Sequence, residues 1–374
     1  MTDAPEEGTL ELLENHGGFL RSARRNYAVH AADPLVSNEL IKRFALRGGE
    51  TIVGPKQWLN GRRRGPQGRY ALTEIHSING LPPDQHLYRR PYEELTVVDP
   101  RERLQFETPG GPLSMRVVDL MTPIGKGQRG LIAAAPRTGK TILLQQMAAG
   151  LAANHPDMYM MVLLIDERPE EVTEMRRTVH GEVVASCNDE NVASHLRIAR
   201  LMSAKAKRMV ESGQHIFILL DSLTRLGRAF NAGFRSSGRT MSGGITAGAL
   251  TEPKGIFGAA RNIENGGSLT ILASALIETG SRMDEVIFNE FKGTGNMEIM
   301  LTRDLANLRI WPAMDLNQSG TRKEELLLGK VVAEKTYRVR RQLAGQSPTR
   351  AMETLLEALN KYPTNQAFLN SIAK

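Results

Sequence analysis

The sequence predicts an α/β core on a mainly parallel sheet, preceded by a small all-β barrel. Three observations carry this expectation. Short apolar runs separated by turn residues fill the first eighty positions. From about residue 116 apolar runs alternate with helical periodicity. A loop ending Gly139-Lys140-Thr141 joins one such run to a helical stretch. The chain has 374 residues, 41% hydrophobic and 24% charged, enough for about two domains with cores of their own. Its longest apolar stretch, Met158–Ile165, is too short to cross a bilayer, and the first thirty residues carry no secretory pattern. One cysteine, Cys187, excludes a disulfide framework and fits a reducing cytoplasm. With no HExxH or clustered His/Cys pattern, no metal site is expected from the protein alone.

In the first part the expected strands are Thr9–Leu13, Phe19–Ser22, Glu50–Val53 and Tyr70–Ile75, with Gly17-Gly18 and Gly48-Gly49 as turns. Ser37 is placed to cap a short helix over Glu39–Leu46, since its hydroxyl can accept a first-turn amide. Several short strands and one helix in about eighty residues suggest an OB-fold, here over residues 8–80. Charge concentrates there. Residues 16–90 hold 13 basic and 5 acidic side chains, a balance of +8, so the rest of this +7 chain is near neutral. A basic segment on a balanced body suggests a polyanion partner, with Arg62, Arg63 and Arg64 in an exposed loop. A merely solvated face remains open on charge alone.

Residues 81–115 carry repeated prolines and Gly110-Gly111 and read as a connector. Beyond it, over 116–374, strands are expected at Leu131–Ala135, Tyr159–Ile165, His215–Leu220, Leu269–Ala275 and Met297–Leu301. Helices are expected at Thr141–Ala152, Glu170–Thr178, Val192–Glu211 and Thr349–Leu359.

The run Ala134-Ala135-Pro136-Arg137-Thr138-Gly139-Lys140-Thr141 follows a strand and opens a helix, the setting of a phosphate-binding P-loop. Unpaired amides at the helix start face the phosphates, Lys140 neutralises them, and Thr141 offers a hydroxyl to Mg²⁺. Two apolar runs then end in acids. Asp221 is placed to hold the water shell of Mg²⁺, and Glu167 to orient an attacking water. Arg322, in a polar turn beyond the last strands, suits a cation supplied to the γ-phosphate, although an ordinary surface arginine fits the spacing as well. Trp311 fits a base-stacking or a core position.

The runs Leu163–Met175, Phe257–Asn262, Glu290–Asn296 and Ser319–Leu326 closely resemble the bacterial transcription termination factor Rho family, and the similarity extends over residues 8–374. That resemblance implies a homohexameric ring of RecA-like ATPase domains, each with an OB-fold (cold-shock-like) RNA-binding domain. It implies a helicase that hydrolyses ATP with Mg²⁺, moves 5′ to 3′ along nascent single-stranded RNA and dissociates it from RNA polymerase. On this resemblance Pro136, Arg137, Thr138, Gly139, Lys140 and Thr141 form the ATP loop and Glu167 activates water, with Arg168 as its companion. Arg322 matches the finger reaching a neighbouring subunit, Arg309 is a second interface arginine, and Trp311 stands where the family packs a Phe on adenine. Two pore loops are implied, one with Arg239, Thr240, Ser242, Gly243 and Gly244, the other, Thr279–Met283, with Gly280, Ser281 and Arg282. In the OB-fold Phe19 and Arg21 are retained, but Gly17 and Leu35 replace usual aromatics. Whether Arg69 or Tyr70 faces the bases stays open. Two other readings are a rotary or secretion ATPase, which should lack the Gly18–Ser22 stretch and the pore loops, and a decayed RNA-binding protein, which should have lost Lys140, Glu167, Asp221 or Arg322.

Overall fold

The computed structural model describes residues 5–14, 17–59, 70–234 and 242–372. They form two compact units. One comprises residues up to Thr96 with Arg197–Ile216 and Ile263–Gly267, and the other comprises Val97–Leu196, Phe217–Asn262 and Ser268–Lys374.

The first unit is built on β1 (Glu6–Leu13), β2 (Gly17–Arg21), β3 (Leu35–Val36), α1 (Asn38–Arg43), β4 (Thr51–Gly54), β5 (Lys56–Trp58), β6 (Tyr70–Leu72), β7 (Ser77–Ile78) and α2 (Pro83–His86). Its sheet runs β5-β6-β3-β2-β1-β4-β7. Alternation puts Leu10, Leu20, Val36, Ile52, Leu72 and Ile78 on one face, and these close the barrel core. Ser37 caps α1 as expected, its hydroxyl accepting the Leu40 amide at 3.2 Å. Gly17 explains its own presence. Its φ is +82°, and a Cβ there would lie 2.6 Å from the Val36 carbonyl. The helical residues 197–211 belong to this unit and meet the barrel through charge. Arg197 donates to Glu11 at 3.0 Å, Lys205 to the Tyr27 hydroxyl at 2.7 Å, and Glu211 pairs with Arg47.

The second unit begins with β8 (Val97–Val98), β9 (Arg103–Leu104), α3 (Leu113–Met121), β10 (Ile124–Gly125), β11 (Arg129–Ala134), α4 (Lys140–Asn154), β12 (Tyr159–Glu167), α5 (Pro169–Thr178) and β13 (Glu182–Cys187). The chain continues through α6 (Val192–Glu211), whose residues from Arg197 onward belong to the first unit, and β14 (His215–Asp221), which enters the second at Phe217. Then come α7 (Leu223–Gly233), α8 (Thr251–Gly258), β15 (Arg261–Ile263), β16 (Ser268–Leu276), α9 (Arg282–Lys292) and β17 (Met297–Leu301). After α10 (Arg303–Asn307) and β18 (Gly320–Thr321), helices α11 (Glu325–Leu343), α12 (Pro348–Asn360) and α13 (Asn365–Ser371) close the chain. The strand order β13-β12-β14-β16-β11-β17-β18 is parallel where β11 meets β16 and β17 and where β12 meets β13. Strands covered on both faces must be apolar along their length, which is why Met160–Ile165 and Leu269–Ala273 are uninterrupted buried runs.

Every strand and helix expected for this unit is present within a few residues. Missing from expectation are β13, α7, α9 and α11 among others. α7 carries Gly227, where an added Cβ would sit 3.2 Å from Ile287, so tertiary packing rather than helix propensity sets that position. The Thr279–Met283 stretch corrects the expected loop. Gly280, at φ +74°, ends the irregular segment, Ser281 is the N-cap, and Arg282 is the first residue of α9. Asp284 and Glu285 in the first turn favour a helix start there.

Candidate active site

The P-loop lies at the carboxyl end of β11 and the start of α4, Asp221 at the carboxyl end of β14, and Glu167 at that of β12. Ligands bind outside the carboxyl ends of strands in such sheets. Gly139 is the N-cap of α4, at φ +78°, and the helix has no side-chain cap, so its first amides face outward. Thr138 is buried, and its hydroxyl donates to the Ala135 carbonyl at 2.7 Å, bracing the loop from behind. Pro136 and Arg137 are exposed, with Arg137 at φ +66°, while Thr141 is half-buried in the first turn.

Lys140 joins the two acids. Its Nζ donates to Asp221 Oδ1 at 2.5 Å and stands 4.0 Å from Glu167. Burial alone lowers a lysine's pKa, but Asp221 and Glu167 outweigh it and hold the ammonium above its usual range. Asp221 Oδ1 also accepts the Ser274 hydroxyl at 2.6 Å.

Glu167 is aimed by its backbone. Asp166 has φ +59°, and the β12–β13 register shifts between Ile165 and Glu167, a bulge that re-aims the following side chain. Glu167 is only 3% exposed, and its Oε1 accepts no hydrogen bond among the described residues. Burial first, then the Asp221 charge, push its carboxyl up to about 8, against the pull of Lys140 and Arg225. A buried carboxyl with a pKa near neutrality, beside the phosphate loop, has the properties of a general base. Arg225 on α7 was not singled out in the sequence, yet its Nε lies 3.0 Å from Glu167 and its Nη1 3.3 Å from Asp166. The signal available was its place four residues after Asp221, one helical turn on.

Trp311 settles against the loop. A Cβ on Gly139 would fall 2.5 Å from the indole, and the ring remains 41% exposed. Leu113, Thr138, Gly139, Ile142, Trp311 and Pro312 line a cleft of about 300 Å³ beside the P-loop. An apolar wall with an open indole next to phosphate-binding amides suits a nucleotide base.

Residues 114–321 match the nucleotide-binding domain of the ATP synthase alpha/beta family, and residues 6–84 match the RNA-binding domain of Rho termination factor. The transcription termination factor Rho of Cereibacter sphaeroides is 50% identical over 373 residues, covering 98% of this chain and 86% of the relative. That of Aquifex aeolicus is 51% identical, covering 98% and 84%. The chain belongs to the transcription termination factor Rho family. It carries the family's RNA-binding domain ahead of a P-loop ATPase domain. A solved ATPase of the type III secretion system of pathogenic bacteria shares the fold, with a TM-score of 0.63 at 19% identity, over 85% of this chain and 92% of that one. Among the described residues no helix is long and apolar enough to cross a membrane.

The other Rho-type positions separate into three groups. Arg168, Arg309 and Arg322 are exposed and form no ion pair among the described residues. Arg322 follows β18, its amide held by the Asn296 carbonyl at 2.9 Å, and Arg309 has φ +59°. Gly243 and Gly244 form a tight turn with positive φ at both, and Ser242 begins it. Arg239 and Thr240 lie outside the described residues, as do Arg62, Arg63, Arg64 and Arg69.

On the barrel, Phe19 is 5% exposed, its ring under the Arg21 guanidinium at 5.1 Å. Arg21 is itself buried, because a guanidinium removed from water needs carboxylates. It pairs with Glu11 at 2.5 Å and Asp33 at 2.7 Å. Tyr70 alternates in phase with Leu72, so it points to the core side of the sheet, away from the Phe19 side.

Proposed function

We propose that this Rho-family protein is an RNA-dependent ATPase and 5′-to-3′ helicase that terminates transcription. In this reading six copies form a ring, capture nascent single-stranded RNA and withdraw it from RNA polymerase in the cytoplasm. Residues 8–80 capture RNA, 81–115 connect, and 116–374 form the motor. The observation that carries the reading is the Lys140–Asp221–Glu167 cluster, at strand ends beside a nucleotide-sized cleft, in a chain with an RNA-binding domain.

The chemistry follows from what each group faces. Lys140 pairs with Asp221 and is placed to turn its charge to the β- and γ-phosphates when ATP enters. Asp221 and the Thr141 hydroxyl are the groups that would hold Mg²⁺. The uncapped first amides of α4 suit the phosphates, and Mg²⁺, when bound, would supply neutralisation of their charge. Glu167 accepts the proton of the attacking water. Trp311 stacks on adenine. Arg322, exposed and unpaired, reaches the γ-phosphate of the adjacent subunit, with Arg168 and Arg309 at the same interface. Arg239, Thr240, Ser242–Gly244 and Gly280–Arg282 contact RNA in the pore, whereas Arg21 and Phe19, both buried, support the barrel from within.

A secretion-type ATPase shares the fold, but the match of residues 6–84 to an RNA-binding domain favours the RNA motor. The deciding experiment is ATP hydrolysis by purified protein with and without single-stranded RNA. Stimulation is expected; a rate indifferent to RNA overturns the reading.

A further inference from the structure

The barrel raises a problem for RNA recognition by stacking. Gly17 and Leu35 carry no ring, Phe19 is buried, and Tyr70 lies on the core side. Stacking on single-stranded nucleic acid needs an accessible, rigid aromatic face.

We propose that Trp58 is a nucleobase-stacking platform for single-stranded RNA, held in place by Tyr70; this rests on the RNA-binding reading above. Trp58 ends β5, the edge strand of the barrel sheet, and stands directly opposite Tyr70 in the antiparallel register. The two rings meet edge to face, with centroids 5.0 Å apart and planes at 85°. Such an edge-to-face contact orients the indole before RNA arrives. Trp58 has the phase of Leu72, but burial falls away along the strand, and the indole is 47% exposed beyond the end of the core. Lys56, two residues back on the same side, lies 4.8 Å from the Tyr70 ring and pairs with Glu6, so a cation stands beside the platform. Trp58 ends β5 and Tyr70 begins β6, neighbouring three-residue strands at one edge of the barrel sheet.

The chain has two tryptophans, Trp58 and Trp311, so intrinsic fluorescence reports the platform directly. Nucleotide-free protein is titrated with oligo-C and oligo-U RNA while emission and binding are followed. Quenching is expected in the unaltered protein and its loss in Trp58→Phe, whose remaining indole is Trp311. Trp58→Ala is expected to weaken binding roughly 5- to 100-fold at fixed salt, the worth of one stacked base. Trp58→Phe should lose much less affinity. The salt slope should stay constant, because no phosphate contact is removed. RNA binding with equal quenching in Trp58→Phe and unchanged affinity in Trp58→Ala overturns the platform alone. Failure of the unaltered protein to bind RNA overturns the functional reading with it.

Discussion

Replacing Arg225 by Gln tests the assignment of Glu167 as the base without touching the base. Arg225 Nε lies 3.0 Å from Glu167, close enough for its charge to favour the carboxylate. An opposite charge at this range lowers a carboxyl pKa by about 1–3 units. Arg225 is the weakest of the named influences on Glu167 and Lys140 remains in place, so the low end, about one unit, is the expected loss. The Glu167 carboxyl, about 8 in the intact site, should therefore rise further in the variant. The pH dependence of kcat/KM reports groups of the free enzyme, and below the pKa a required base loses about tenfold in activity per pH unit. The acid limb of RNA-stimulated ATP hydrolysis should move up by about one pH unit. Arg225→Gln should then trail the unaltered protein about tenfold near neutrality and approach it in alkaline buffer. The assay is kcat/KM against pH for both proteins. An acid limb that stays put, or moves down while the plateau falls, refutes the assignment.

Three further outcomes are expected. Glu167→Gln should remove a pH-dependent instability. A carboxyl whose pKa is raised on folding binds more protons folded than unfolded, so its penalty grows as pH rises from the ordinary value of 4.5 through about 8. The Tm of Glu167→Gln, measured against the unaltered protein, should gain steadily over that window and then level off; a constant difference contradicts it. Gly139→Ala should abolish nucleotide binding, since its Cβ would meet the Trp311 ring at 2.5 Å on a backbone at φ +78°. Retained binding of a fluorescent ATP analogue would show that the indole yields freely. Arg322→Ala should keep nucleotide binding and lose hydrolysis, with partial recovery when mixed with Glu167→Gln subunits; no recovery at any ratio argues against action across subunits.

The motor's outline was legible because its elements are local. Ala134–Thr141 declares a strand, a loop and a helix start within eight residues, and the apolar runs ending at Glu167 and Asp221 declare buried parallel strands by having no polar face. Ser37 declares its cap by standing three residues before the amide it accepts. The loop over Thr279–Met283 is shorter than expected, because Arg282 and Met283 already belong to α9, and a glycine and serine are also what a helix start looks like.

By itself, the sequence determined which residue types stand at the strand ends and that a basic barrel precedes a nucleotide-binding core. Only the tertiary structure decided which charges meet. Arg21 looked available for RNA, yet Glu11, ten residues back, and Asp33, twelve residues on, consume it. Arg225 looked like an ordinary helix residue, yet it lies against the Glu167 carboxylate from 58 positions away. The physical reason is that a charge leaving water must find its partner in space, and chain separation says nothing of which partner the packing will bring.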